Sequence, residues 1–537
     1  MTRTLGMLAA AIAAVASLEA QVSFDRLLSA DREPHNWLSY SRTLTNQRHS
    51  PLAQITPANV KSLELRWVWQ ARSLEKFETT SLVVDGVLYT VQAPNDVVAL
   101  DAATGRVFWT FAYTPAANAR PCCGRVNRGV SILGDTLFMG TIDAHLLALD
   151  ARSGHQIWKV QVANVGDNYA ITHAPVIVKD LVIVGTAGGD FPTRGMITAY
   201  EAKTGKQRWR FYTIPGPGEP GHDTWSGDSW KTGGAAVWNS AAYDPETNLT
   251  YWGTGNPWPD WDGRRRLGDN LYSDSVVALD ADTGTLKWHY QFTPHDEIDY
   301  DSTQVPILAD INWQGRSRKV MLWANRNGVA YVIDRTTGEV LNAKPYVTVN
   351  WLDGFDKSKN WRPIRTPRVV PTPEGTTMMP TVLGATNWQP ASYSPRTGLF
   401  YVSVWEGTST VAVEGATPRG LGGVNALGQA HLERNRRTPQ EGYGAVRAID
   451  PQTLDTKWEF KMSDTTWAGV LTTASDLLFS GGKEGYFYAL DARSGALLWR
   501  LALGGQVNNG PMTYAVNGKQ HVVVAAGSGL FAFALPD

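Results

Sequence analysis

The feature that most constrains this chain is a tryptophan that returns in a fixed setting. Apolar residues lead into an acidic turn, then a glycine, then an alternating strand that ends in Trp. The clearest copy runs from Ala99-Leu100-Asp101 through Thr104-Gly105 to Trp109. It returns at Ala148 to Trp158, Ala199 to Trp209, Ala278 to Trp288 and Ala489 to Trp499, with weaker copies from Val332 to Asn342 and Ala448 to Trp458. Clear neighbours lie about 40 to 55 residues apart, the period of a four-stranded propeller blade. Asp and Thr in the turn can bond nearby backbone, and Gly accepts positive φ. The chain holds 22 Trp and 51 Gly in 537 residues, which suits short strands, many turns and a repeated aromatic packing device.

These observations predict an all-β fold, an eight-bladed β-propeller of four antiparallel strands per blade. Hairpin turns at Val84-Asp85-Gly86-Val87, Leu133-Gly134-Asp135-Thr136 and Tyr243-Asp244-Pro245 fill the blades. The segment Ser392 to Tyr401 reads as part of a further blade without its Trp. The runs Leu63 to Trp69 and His521 to Phe533 read as strands from the two ends of the chain. Sharing one blade, they would close the ring and remove its exposed edges. Residues 21–537 are expected to form this single domain. Two stretches fall outside the repeat: 214–234, rich in Pro, Gly and Asp, and 406–445, Gly-rich with Arg434, Arg436 and Arg437. Long loops of this kind are expected on one face, where they can cover a site.

Residues 1–20 read as a signal peptide, with Arg3 before the apolar run Leu5 to Ala16. That run is short for a bilayer span and no later stretch reaches that length, so an exported, periplasmic protein is expected and not an integral membrane protein. Formal net charge is −1 and no basic stripe is present, which argues against nucleic acid as a partner. The only cysteines, Cys122 and Cys123, are adjacent. Two free thiols or a bond of purely local effect are both open, since such a bond closes almost no loop. No Cys-x-x-Cys-His occurs, so a c-type haem has no usual attachment point.

The chemistry must sit in loops, because this fold hosts many functions. In His295-Asp296-Glu297-Ile298-Asp299-Tyr300-Asp301, residues two apart share a face of an extended segment, so Asp299 and Asp301 point the same way. Carboxylates forced together repel unless a cation neutralises them, and hard oxygen ligands favour calcium-like ions. A solvated acidic loop is the plain alternative. Gly253-Thr254-Gly255-Asn256-Pro257 offers an amide carbonyl, Gly188-Gly189-Asp190 a further carboxylate, and Gly233 to Val237 lead to the flat ring of Trp238.

Taken with Arg120-Pro121-Cys122-Cys123, Val126-Asn127-Arg128-Gly129, Thr293-Pro294-His295-Asp296, Trp323 to Gly328 and Asn387-Trp388-Gln389-Pro390, these segments resemble the quinoprotein alcohol dehydrogenases that use pyrroloquinoline quinone. The resemblance runs from about Tyr40 to the end. It implies that Cys122 and Cys123 form a disulfide over one face of the quinone and that Trp238 stacks on the other. It places Glu78, Arg128, Thr172, Arg326, Asn387 and Trp467 at the cofactor's edge, and Asp190, Asn256 and Asp299 at a metal ion, with Asp299 also the catalytic base. The family usually has Glu where this chain has Asp190, so the ion must shift or a water must bridge. Asp301 resembles the extra carboxylate of lanthanide-dependent members, and a trivalent ion wants another negative oxygen. One lanthanide or calcium ion is therefore expected.

The implied reaction is oxidation of a small primary alcohol, or an aldehyde. Asp299 takes the hydroxyl proton, hydride passes to the quinone, and electrons leave to a separate soluble cytochrome c. Arg326 is expected to help keep Asp299 ionised. A homodimer is one open arrangement. The rivals are a non-catalytic envelope scaffold and a propeller glycosidase or lyase using Asp296, Glu297 and Asp299.

Overall fold

The computed structural model describes residues 22–412 and 442–537. The proposed signal peptide and most of the Gly-rich basic stretch, with Arg434, Arg436 and Arg437, lie outside the described residues. No helix among the described residues is long and apolar enough to cross a membrane.

Eight sheets of antiparallel strands follow one another around a ring. Blade 1 consists of Leu82–Val84, Val87–Gln92, Asp96–Asp101 and Val107–Phe111. Blades 2 to 7 occupy residues 131–161, 176–212, 242–291, 307–345, 392–461 and 471–502. In blade 8 the N-terminal strand Glu64–Gln70 pairs antiparallel with the C-terminal strand Gly529–Ala534. Both ends of the chain thus close the ring, as expected from the sequence. Ser392 to Tyr401 is not a further blade. It supplies the first strands of the blade whose last strand, Thr456–Lys461, carries Trp458; more than 30 residues of sequence separate its second and third strands, Leu399–Glu406 and Tyr443–Ile449.

The tryptophans join the blades. Each closes its own blade, and all but Trp499 lie on the turn glycine of the next. A Cβ on Gly105 would sit 2.8 Å from the Trp67 ring, on Gly154 2.6 Å from Trp109, and on Gly284 2.4 Å from Trp209. These glycines have positive φ, so the residue that makes the turn also makes room for the ring. The indole N–H of Trp67, Trp158, Trp209 and Trp458 donates to the carbonyl of Ala102, Ala202, Ala281 and Ala492 in the following blade. Two junctions differ. Blade 8 is closed by strands from opposite ends of the chain, so it has no such turn, and Trp499 stands edge-on to Phe533 instead. Blade 5 ends in Asn342, which donates to the Gln452 carbonyl, and the turn glycine of blade 6 is replaced by buried Leu454 at φ 57°. The Leu454 side chain enters the core between these blades where a ring is lacking.

A segment near the N-terminus ties the inner strands together. His35 accepts from Ala515 and Trp37 pairs with Val83. Leu44, Thr45, Gln47 and Arg48 then accept from Tyr243, Leu308, Tyr393 and Thr472. Residues 35–48 therefore touch the inner strands of blades 8, 1, 4, 5, 6 and 7 in turn. Arg48, fully buried, donates to the carbonyls of Tyr40, Val470 and Pro511.

In a four-stranded meander, the turns joining strands one to two and three to four lie at one end of the blade. The turn joining strands two to three and the crossing to the next blade lie at the other. The Trp-bearing junctions use the first end, which leaves the second end for the long loops. Gly154→Ala is expected to cost at least about 2 kcal/mol, through positive φ plus a ring clash. Gly398→Ala, also at positive φ but facing open space, should cost only about 1 kcal/mol. Urea midpoints of the two variants check this; equal losses would mean that the ring contact does not join the blades.

Candidate active site

Every residue singled out from the sequence for the site lies on the loop end of the ring or in the first turns beyond it. Two of these loops, 254–274 and 292–306, are fastened by Arg266. Its fully buried guanidinium donates to the carbonyls of Pro259 and Asp260 at 3.0 Å each, to Asn270 Oδ1 at 2.9 Å, and to the carbonyl of Asp296. The Asp296 carboxylate accepts from the backbone N–H of Ile298 and Tyr300 and so shapes the turn that holds Asp299 at φ 64°. Glu297 pairs with Arg365. Asp296 and Glu297 are thus engaged in building the loop, which leaves the glycosidase reading without its second carboxylate.

Asp299 and Asp301 share one partner. Arg326 Nη2 donates to Asp299 Oδ2 at 2.9 Å and Nη1 to Asp301 Oδ2 at 2.5 Å, while Nε and Nη2 hold the Val382 carbonyl. Asp301 is 6% exposed, so it does not face solvent. Its Oδ1 accepts from the Asn256 backbone N–H at 2.8 Å and its Oδ2 from Trp238 Nε1 at 3.1 Å. The indole expected beneath the cofactor is therefore bonded to the acidic cluster. Asn256 Oδ1 lies against Gly189, where a Cβ would meet it at 2.6 Å, next to Asp190. Cys122 and Cys123 form a disulfide, and their sulfurs and an Asp190 oxygen all lie within 4.8 Å of one another.

The other candidates form the rim. Glu78 pairs with Arg128 at 2.8 Å, and Arg128 Nη1 donates to Thr172 Oγ1 at 3.2 Å. The Arg128 guanidinium lies between two rings, 5.1 Å from Trp238 and 5.0 Å from Trp388. Its buried Nε has no hydrogen-bond partner among the described residues. Trp467 stands edge-on to Trp405 at 4.6 Å, with Lys76 Nζ 5.4 Å from its ring. Asn387 donates to the Leu383 carbonyl and accepts from the Trp388 N–H. Among the described residues, neither Asn387 nor Trp467 hydrogen-bonds to the acidic cluster.

The profile of the glucose/ethanol/alcohol dehydrogenase β-propeller domain matches residues 37–349 and 422–522, more than half of the chain. The chain belongs to the pyrroloquinoline quinone-dependent alcohol dehydrogenases. It is 38% identical over 540 residues to quinohemoprotein alcohol dehydrogenase ADH IIB of Pseudomonas putida, covering 96% of this chain and 76% of that one. With the lanthanide-dependent methanol dehydrogenase of Methylacidiphilum fumariolicum it shares 35% over 555 residues, 97% of this chain and 89% of the other. The solved structure of ADHIIG from Pseudomonas putida superposes with a TM-score of 0.90 at 36% identity, covering 96% and 82% of the two chains. As a quinoprotein alcohol dehydrogenase, the protein is an oxidoreductase acting on CH–OH groups.

The charge balance of this dehydrogenase is lopsided. Burial, then the charge of Asp301, pushes Asp190 up to about 7. Burial raises Asp299 well above the usual carboxylate range, against the pull of Arg326 and with the push of Asp301, Asp190 and Asp260. Arg326 pulls Asp299 toward the ionised form, as expected. One guanidinium is divided between two carboxylates and does not offset the burial. Asp260 and Asp274, both buried, are raised in the same way and were not singled out from the sequence. Such an excess of oxygen-bearing, hard-to-ionise groups fits a multivalent hard cation, and the unpartnered Arg128 Nε beside Trp238 fits an anionic planar ligand.

Asp274 makes a test of this burial. Neither carboxylate oxygen has a hydrogen-bond partner among the described residues, and its backbone φ of 47° is one that Asn tolerates. A folded-state pKa above the unfolded one means stability that is full below about pH 4 and lost as pH rises toward the raised value. Asp274→Asn should therefore stabilise the protein by at least about 1 kcal/mol at pH 7 and by nothing at about pH 3. Denaturant midpoints at the two pH values measure this, and a loss at pH 7 would contradict it.

Proposed function

We propose that this chain oxidises small primary alcohols in the periplasm with bound pyrroloquinoline quinone and one lanthanide ion, passing electrons to a separate cytochrome c. One observation carries the reading: Arg326 binds Asp299 and Asp301 side by side, while no hydrogen bond reaches Asp299 Oδ1 among the described residues. When bound, the quinone supplies the hydride acceptor and the ion the Lewis acid.

The chain's own groups supply the rest. Arg326 fixes Asp299 through Oδ2 and leaves Oδ1 to accept the proton of the alcohol hydroxyl. The oxygens of Asp190, Asn256, Asp299 and Asp301 would hold the ion, whose charge would offset the burial that raises the Asp299 pKa. Asp301 favours a trivalent ion over calcium, because it brings a further buried carboxylate to a cluster with one shared arginine. Arg128 and Thr172 hold the quinone's carboxylate edge, and Glu78 balances Arg128. Cys122–Cys123 and Trp238 clamp the ring, and Asn387 and Trp467 border it. Both cysteines are engaged in the disulfide, and the proposed acceptor is a separate cytochrome c.

Asp299→Asn should bind quinone and lanthanum yet lose turnover by about 100- to 10,000-fold, measured with a dye acceptor. Near-normal kcat would reject Asp299 as base. Asp301→Ala should weaken activation by lanthanum more than by calcium, and equal losses with both ions would count against the trivalent reading.

A further inference from the structure

Asn256 can serve an ion only if its oxygen, not its nitrogen, faces it, and an amide has no intrinsic preference between the two. Its Nδ2 lies 2.8 Å from Asp260 Oδ1, against 3.4 Å to the Pro257 carbonyl and 3.5 Å to the Gly189 carbonyl. No hydrogen bond is donated to its Oδ1 among the described residues, and that oxygen lies against Gly189, beside Asp190. Asp260 is 3% exposed, and among the described residues no Lys or Arg forms an ion pair with it. Its backbone is pinned instead, since Arg266 holds the carbonyls of Pro259 and Asp260.

We propose that Asp260 is a positioning residue of the cation site, turning the Asn256 amide so that Oδ1 faces the ion and placing a further negative charge behind it. The proposal rests on the cation reading above. A bound cation favours the ionised form of the buried Asp260 carboxyl, and an ionised carboxylate offers only acceptors, so it selects the NH2 end of the amide and leaves the carbonyl end for the ion. Partners of this kind orient ligands, and their loss costs about 10- to 100-fold in metal affinity. The added charge also bears on Asp190, whose reach is shorter by a methylene than a Glu would have. A second carboxylate close behind the amide strengthens the field at the ion without occupying a ligand position.

The test is terbium binding to quinone-loaded protein, read by tryptophan-sensitised luminescence, with calcium affinity obtained by competition. Wild type, Asp260→Asn, Asn256→Ala and the double variant are compared, with thermal unfolding as the check on folding. Asp260→Asn is expected to raise the terbium Kd by about 10- to 100-fold, and the calcium Kd by less. In the Asn256→Ala background, adding Asp260→Asn should change the terbium Kd far less than it does in wild type, because the amide it orients is gone. A terbium Kd within twofold of wild type in folded Asp260→Asn overturns the proposal. A full additional loss in the double variant also overturns it, since Asp260 would then act independently of Asn256. Failure of wild type itself to bind terbium or calcium would reject the cation site as a whole, a result separate from either of these.

Discussion

Carboxylates gathered out of water are the constraint on which this structure turns. Asp190, Asp260, Asp274, Asp299 and Asp301 lie buried or nearly so at one end of the ring, and Arg326 is the one guanidinium paired directly with two of them. Ionising several such groups together costs more than one arginine returns. A cation bound among them, as proposed, would offset that cost. The same account explains the bond from Trp238 to Asp301: it locks the flat ring on which a planar cofactor would rest to the cluster that would hold the ion.

The frame must be stiff enough to hold those charges together, and the repeat makes it so. Ring-on-glycine junctions sit at one end of the blades and free the other end for loops. The N-terminal segment binds the inner strands of six blades through its own carbonyls, so the loops from blades 1 to 7 are presented from one fixed ring. Arg266 extends that fixity into the loops by donating almost entirely to backbone oxygens.

Periodicity made the blades legible, because Trp, turn glycine and alternating strands each leave a local mark in sequence. The junction at Asn342 was harder to read. Leu454 replaces the glycine there, and its compensation with a missing ring more than a hundred positions earlier is visible only in three dimensions. The split blade at Ser392 to Trp458 misled for the same reason: a long stretch of sequence separates its strands. At the site, motifs named Asp190, Asn256, Asp299 and Asp301; the structure puts Asp299 and Asp301 on Arg326, the Asn256 N–H on Asp301, and the Asn256 amide oxygen against Gly189, next to Asp190. Asp260 and Asp274 escaped notice because a single Asp in a Pro-rich or Ser-rich loop looks like a turn former. Only burial, the contact with Asn256 and the unpartnered oxygens of Asp274 set them apart. Local sequence also could not show that Asp301 would compete with Asp299 for the same guanidinium.

The most direct measurement is a crystal structure of the protein grown with pyrroloquinoline quinone and lanthanum, with anomalous data that locate the metal. The account requires one strong lanthanum peak within about 2.3 to 2.7 Å of oxygens from Asp190, Asn256, Asp299 and Asp301. The quinone should lie between the Cys122–Cys123 sulfurs and the Trp238 indole. A peak outside that oxygen set, or a quinone bound away from the disulfide and indole, would contradict it.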